Sequence, residues 1–133
     1  MRLLRWLLVP LLAPLGYIVA VLTVILLTQL LRRTCPPESV VSGACTASWY
    51  PDAELGAIAL ATALGAAVWV TLPALAAPSR RNLVAWIAFA CGVLFASWLT
   101  FQVGLGFAVP FGSALVAGAI AALLITSRFK RAT

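Results

Sequence analysis

Two cysteines, Cys35 and Cys45, are the residues of this chain whose type and spacing point most directly to chemistry. They lie in residues 32–54, the one long polar segment of an otherwise apolar chain. Thiols in an oxidising compartment form disulfides, whereas dithiols that exchange with a partner use the closer C-x-x-C spacing, which this sequence lacks. We therefore predict a structural Cys35–Cys45 disulfide, which would stabilise the segment by about 2–3 kcal/mol.

Other catalytic groups are scarce. The chain has no histidine, and all three of its acidic residues lie in the polar segment: Glu38, Asp52 and Glu54. No charged residue falls in the centre of an apolar run, where proton-coupled transporters and intramembrane hydrolases carry their ionisable groups. Two cysteines without histidines also make a poor metal site. The sequence predicts that the protein is not an enzyme and has no catalytic residue, metal or cofactor.

Composition indicates a membrane protein. Of the 133 residues, 64% are hydrophobic and 9% are charged, against about 45–50% and about 25% in soluble domains. Four apolar runs are each long enough to cross about 30 Å of hydrocarbon. The predicted fold is an all-α integral membrane protein with a single domain over residues 1–133. Its transmembrane helices are predicted at residues 7–31, 54–77, 83–103 and 107–126, with an outward loop at 32–53.

Two alternatives to four spans are weaker. The first run is longer than the apolar core of a cleaved signal peptide, and no A-x-A-like cleavage site follows it. Residues 83–126 could form a re-entrant pair, but each half has the length of a full span.

The charge distribution predicts the orientation. Seven of the nine basic residues flank the chain ends or the link between the second and third runs: Arg2, Arg5, Arg80, Arg81, Arg128, Lys130 and Arg131. With four spans, the chain ends and this link lie on the same side of the membrane. The opposite side holds Arg32, Arg33 and every acidic residue. The positive-inside rule then makes both termini cytoplasmic. The excess of Arg over Lys and the many Ala and Gly residues suggest a bacterium with a GC-rich genome, and hence a bacterial inner membrane. The basic residues form no patch interleaved with aromatics, so nucleic acid is not an expected partner.

Four residues at the outer boundary are candidates for contact with a ligand or a partner: Arg32, Arg33, Trp49 and Tyr50. Arg32 and Arg33 end the first run, where they either pair with the nearby acids or bind an anionic head group or a partner. Trp49 and Tyr50 precede the second run, and such amphipathic rings favour the membrane interface. Residues 42 and 43 between the cysteines suit a turn.

Small residues recur at every fourth position on three of the predicted helices. They are Ala57, Ala61, Gly65, Ala88, Gly92, Ala96, Ala114, Gly118 and Ala122. Such faces let helix backbones approach closely, either within one bundle or against another membrane protein or a second copy. Cys91, near the middle of the third run, is expected to be buried and inert.

Three functions fit these features. The first is a non-enzymatic accessory or regulatory subunit of a larger membrane complex, which docks through the small-residue faces. The alternative is a small oligomeric carrier or channel for a lipid-linked or amphipathic anionic substrate, whose head would be received by Arg32 and Arg33. The third is a membrane-bound immunity or stress protein. Membrane lipids are expected partners in every case.

Overall fold

A computed structural model describes residues 2–130 and shows a bundle of four long α-helices. They are α1 (Arg2–Arg33), α2 (Tyr50–Ala76), α3 (Arg81–Val103) and α4 (Ala108–Lys130). Each helix is long and apolar enough to cross a membrane, which confirms the prediction of four such helices. The prediction for Arg131 lies outside the described residues, as do those for the side chains of Arg2, Arg5 and Lys130.

Helix ends differ from the apolar runs for local reasons. Helix α2 begins at Tyr50 and not at residue 54, because Pro51 fits the first helical turn, where its missing N–H group is not needed. Helix α3 ends before Gly104, whose φ of 90° is accessible to glycine and stops the helix. A short 3₁₀ turn, Leu105–Phe107, then leads into α4.

The loop between α1 and α2 contains a small β-hairpin. Strand β1 (Val40–Val41) pairs antiparallel with β2 (Ala44–Cys45). Ser42 and Gly43, between the strands, have φ values of 51° and 80°. Positive φ at both central residues is what a two-residue hairpin turn of type I′ requires.

The predicted disulfide is present in this loop. Cys35 follows the end of α1 and is bonded to Cys45, with Cα atoms 6.1 Å apart. The backbone N–H and the hydroxyl of Thr46 both donate hydrogen bonds to the carbonyl oxygen of Ser39, each at 2.8 Å. The hairpin is therefore held close to the C-terminal end of α1.

Helix α2 is the centre of the bundle. It packs against α1, α3 and α4, and the last two also pack against each other. Helix α1 packs closely against α2 alone. The buried core lies at the end of the bundle where α2 ends and α3 begins, and comprises Val70, Ala74, Ala85, Ala121, Ala122 and Ile125. Because α1 packs closely against α2 alone, a gap is left between α1 and the α3–α4 pair.

Glycines let α1 and α2 cross with their backbones in contact. A Cβ atom added to Gly16 would lie 2.6 Å from the carbonyl oxygen of Gly65 and 2.7 Å from the backbone nitrogen of Trp69. A Cβ added to Gly65 would lie 2.6 Å from the Cβ of Ala20. In lipid, close packing and not hydrophobic burial drives helices together, so this crossing is what attaches α1 to the bundle.

Candidate functional site

The gap between α1 and the α3–α4 pair is an apolar cleft of about 370 Å³ that is partly open to the outside of the bundle. Residues from Gly16 to Ile25 of α1 line one wall, and α2 forms the floor from Ile58 to Val70. The opposite wall comes from α3 and α4, including Leu99. A volume above about 300 Å³ is in the range of cavities that hold small organic ligands.

Small residues on α3 and α4 give the cleft its width. Gly92, Ala96, Ala114 and Gly118, four of the predicted packing residues, all line it. Gly118 leaves room for an aromatic ring, because a Cβ there would lie 3.0 Å from Cδ2 of Phe89. These small side chains therefore border empty space and ring edges, whereas the glycines of the α1–α2 crossing border backbone.

Trp69 anchors the middle of the cleft. Its indole Nε1 donates a hydrogen bond to the carbonyl oxygen of Ala88 at 3.0 Å, and its ring stacks on Phe95 at 5.8 Å with an angle of 9°. Tyr17 from α1 meets the same Phe95 ring edge to face at 6.1 Å. This aromatic group joins α1 to α3 across the cleft and fixes the indole in one orientation.

The Thr62 hydroxyl in the cleft is hydrogen-bonded within the bundle. The hydroxyls of Thr62 and Ser113 lie 3.0 Å apart, and Ser113 also donates to the carbonyl oxygen of Ala59 at 2.8 Å. Thr62 lies 3.1 Å from the carbonyl oxygen of Pro110. These bonds join α2 to α4 in a region where an unsatisfied polar group would be costly.

The cleft can hold an apolar group, and few of its lining side chains carry polar atoms. Among the described residues that line the cleft, the only polar side-chain groups are the hydroxyls of Tyr17 and Thr62 and the indole N–H of Trp69. In that same part of the chain, no group of three or more His, Cys, Asp or Glu residues is placed to hold a metal ion. The arrangement suits binding of an alkyl or similar chain.

Arg32 and Arg33 end α1, beyond the end of the cleft that is nearer to the disulfide loop, and both are exposed. Among the side chains that the structure describes, no carboxylate lies within 4.0 Å of either guanidinium. The expected pairing with the loop acids is therefore not seen there. Trp49 is 40% exposed, and its ring lies 6.0 Å from that of Tyr50, which is buried in the first turn of α2.

The remaining predicted packing residues fall at contacts inside the bundle. Ala57, Ala61, Gly65, Ala88 and Ala122 are all buried. The partner for the α2 face is the pair Gly16 and Ala20 on α1, which sequence reasoning missed although it has the same four-residue spacing.

One prediction about α3 is wrong. Cys91 was expected to be buried, but the structure places it on the exposed side of the helix. It sits one residue before Gly92, which faces Trp69, so a rotation of about 100° turns Cys91 away from the cleft.

Comparison with known proteins finds no family model, no curated protein and no solved structure that matches this chain.

Proposed function

We propose that this chain is a non-enzymatic, multi-pass membrane protein that binds the apolar chain of an amphiphilic molecule in the cleft beside α1. The single observation that carries the proposal is the cleft itself, with about 370 Å³ of space lined by side chains of all four helices. This favours the carrier among the three functions, because a carrier needs an internal site for its cargo.

The physics of the bilayer supports an alkyl chain as the occupant. An empty space beside lipid forfeits dispersion contacts on its walls, and lipid tails are the material at hand to fill it. Lipid tails are as apolar as leucine, so entry of a chain gains little transfer free energy. A lipid chain would therefore occupy the cleft because it fits the shape. Selectivity among lipids must come from polar groups at the end of the cleft.

Fluorescence quenching by brominated phospholipid tests the proposal. A variant that keeps Trp69 as its sole tryptophan reports from inside the cleft, and one that keeps only Trp98, which is 56% exposed, reports from the outer surface. Reconstituted into bilayers brominated along the acyl chain, both reporters should be quenched.

A matched pair of substitutions shows where the quenching chain lies. Ala96→Phe places a ring in the cleft, whereas Ala90→Phe adds the same ring on the exposed side of α3. The first change should reduce quenching of Trp69 and leave Trp98 unaffected, and the second should alter neither. Equal quenching of Trp69 in both variants would mean that no chain enters the cleft.

An accessory subunit of a larger membrane complex is the second candidate. This candidate would use the same cleft, because a partner helix with small side chains could pack there against the part of α3 that α1 does not cover. The small-residue faces were expected to serve this docking, but part of them is used inside the bundle, because Gly65 packs on Gly16 and Gly118 on Phe89. A fixed partner after gentle extraction, together with an unquenched Trp69, would favour this candidate. An immunity or stress role stays a prediction that no described feature favours.

We also propose that the termini are cytoplasmic and the disulfide loop is outside, in a bacterial inner membrane. The support is the asymmetry of basic residues along the sequence and the disulfide, which needs an oxidising compartment. A cysteine introduced at Ser48, which is exposed in the loop, should react with an impermeant thiol reagent in intact cells. Protection there, with reaction only after lysis, would reverse the orientation.

A further inference from the structure

We propose that Arg32 gives the cleft a preference for anionic phospholipid, by binding the phosphate-bearing head group of the lipid whose chain occupies the cleft. This inference rests on the proposed function and adds a second part to the site: a cationic group at its outer end. Arg33, its neighbour in sequence, has no such role.

Helix register separates the two arginines. Arg32 follows Ile25, a lining residue, by two helical turns, and an α-helix returns to nearly the same face after that interval. Val21, another lining residue, shares this face with both. Arg33 is turned about 100° further and leaves the face that borders the cleft.

The depth of Arg32 matches that of a lipid phosphate. The apolar span of α1, Val9–Arg33, has 25 residues, which is about 37 Å of helix against about 30 Å of hydrocarbon. Its last turn therefore reaches the head-group level. Two turns separate Arg32 from Ile25, about 10 Å along the axis. A bilayer phospholipid can thus keep its phosphate at the usual depth while one chain enters the cleft from the side.

Charge and geometry favour a phosphate ester at this position. A guanidinium offers paired donors that match phosphate oxygens. Arg32 is exposed, and no carboxylate among the described side chains lies within 4.0 Å of it, so its donors are open to a ligand. The cleft itself cannot choose among lipids, because its lining is apolar. Any selectivity among bilayer lipids must therefore come from contacts with the head group.

The test measures lipid preference with the Trp69 reporter. The protein is reconstituted into bilayers of phosphatidylglycerol and phosphatidylcholine in which first one lipid and then the other carries the brominated chains. The ratio of the two quenching efficiencies gives the relative occupancy of the cleft. The parent protein should favour phosphatidylglycerol by about fivefold, the effect of one basic residue near the membrane surface.

Paired variants assign the preference. Arg32→Gln should bring the ratio close to one while quenching itself persists, and Arg33→Gln should leave the preference near its parent value. An equal loss in both variants, or a preference unchanged in Arg32→Gln, overturns the inference although the cleft still binds a chain. Loss of quenching with every lipid would instead refute the proposed function. A ratio near one in the parent protein, measured in buffer without inorganic phosphate, also overturns the inference.

Discussion

The α1–α2 crossing makes a sharp prediction, because Gly65→Ala should weaken the bundle although alanine is the better helix former. The added Cβ would lie 2.6 Å from the Cβ of Ala20 and 2.7 Å from the carbonyl oxygen of Gly16, whereas real Cβ contacts essentially never fall below 3.0 Å. Since Gly16 contributes rigid backbone, the helices must move apart. Overpacking of this kind costs about 1–3 kcal/mol.

Gly56 in the same helix provides the control. A Cβ added there meets nothing within 4 Å, so Gly56→Ala should be neutral or stabilising by up to about 1 kcal/mol. Unfolding by sodium dodecyl sulfate in phospholipid bicelles, followed by near-UV circular dichroism, gives the free energies. Gly65→Ala should unfold at lower detergent than the parent and Gly56→Ala should not. If the two variants are equally stable, α1 does not pack on α2 through backbone contact.

Three further predictions concern bonds seen in the structure. Trp69→Phe keeps the aromatic stack but removes the indole donor, and should lower the free energy of unfolding by about 1 kcal/mol in the same assay; an unchanged value would mean that the hydrogen bond contributes nothing net. Thr62→Val removes the hydroxyl that joins α2 to α4 and should cost about 0.6–1.7 kcal/mol, and a more stable variant would contradict the assigned network. Alkylation under denaturing conditions should modify Cys91 alone before reduction and also Cys35 and Cys45 after it; three reactive thiols without reductant would exclude the disulfide.

The sequence was a good guide to the helices and the disulfide for physical reasons. Runs of apolar residues of bilayer length have few alternatives to a helix, because backbone groups in lipid must be satisfied within the segment. Cys35 and Cys45 share a short polar loop bounded by helices, so they had few other partners. Helix ends were less predictable: Pro51 reads as a helix stop but sits in the first turn of α2.

The cleft could not be predicted in the same way. Small residues at every fourth position indicate that something packs closely against that helix face, but they do not indicate whether it is a backbone, a ring or a ligand. Gly65 borders the backbone of another helix, Gly118 borders a ring, and Ala96 borders open space, although all three belong to the same pattern. The difference arises from which helices become neighbours. The pair Gly16 and Ala20 on α1 has the same four-residue spacing, so the sequence did contain this signal.

The sequence also did not indicate which side of α3 packs inside the bundle. The residues of α3 between Leu83 and Phe101 are all compatible with lipid, so hydropathy does not distinguish the side that packs in the bundle from the side that faces away from it. Cys91 lies on the exposed side of α3 because the neighbouring Gly92 packs against Trp69. That contact depends on the position of α2.

The central claim, that a lipid chain occupies the cleft, is tested most directly by photo-crosslinking with a phospholipid that carries a diazirine on its acyl chain. Peptide mapping after illumination in bilayers should find adducts on the lining residues Val24, Leu99 and Leu115, in addition to exposed residues such as Leu94. Ala96→Phe should remove the adducts from the lining and leave those on Leu94. Adducts confined to the exposed residues in the parent protein would contradict the account.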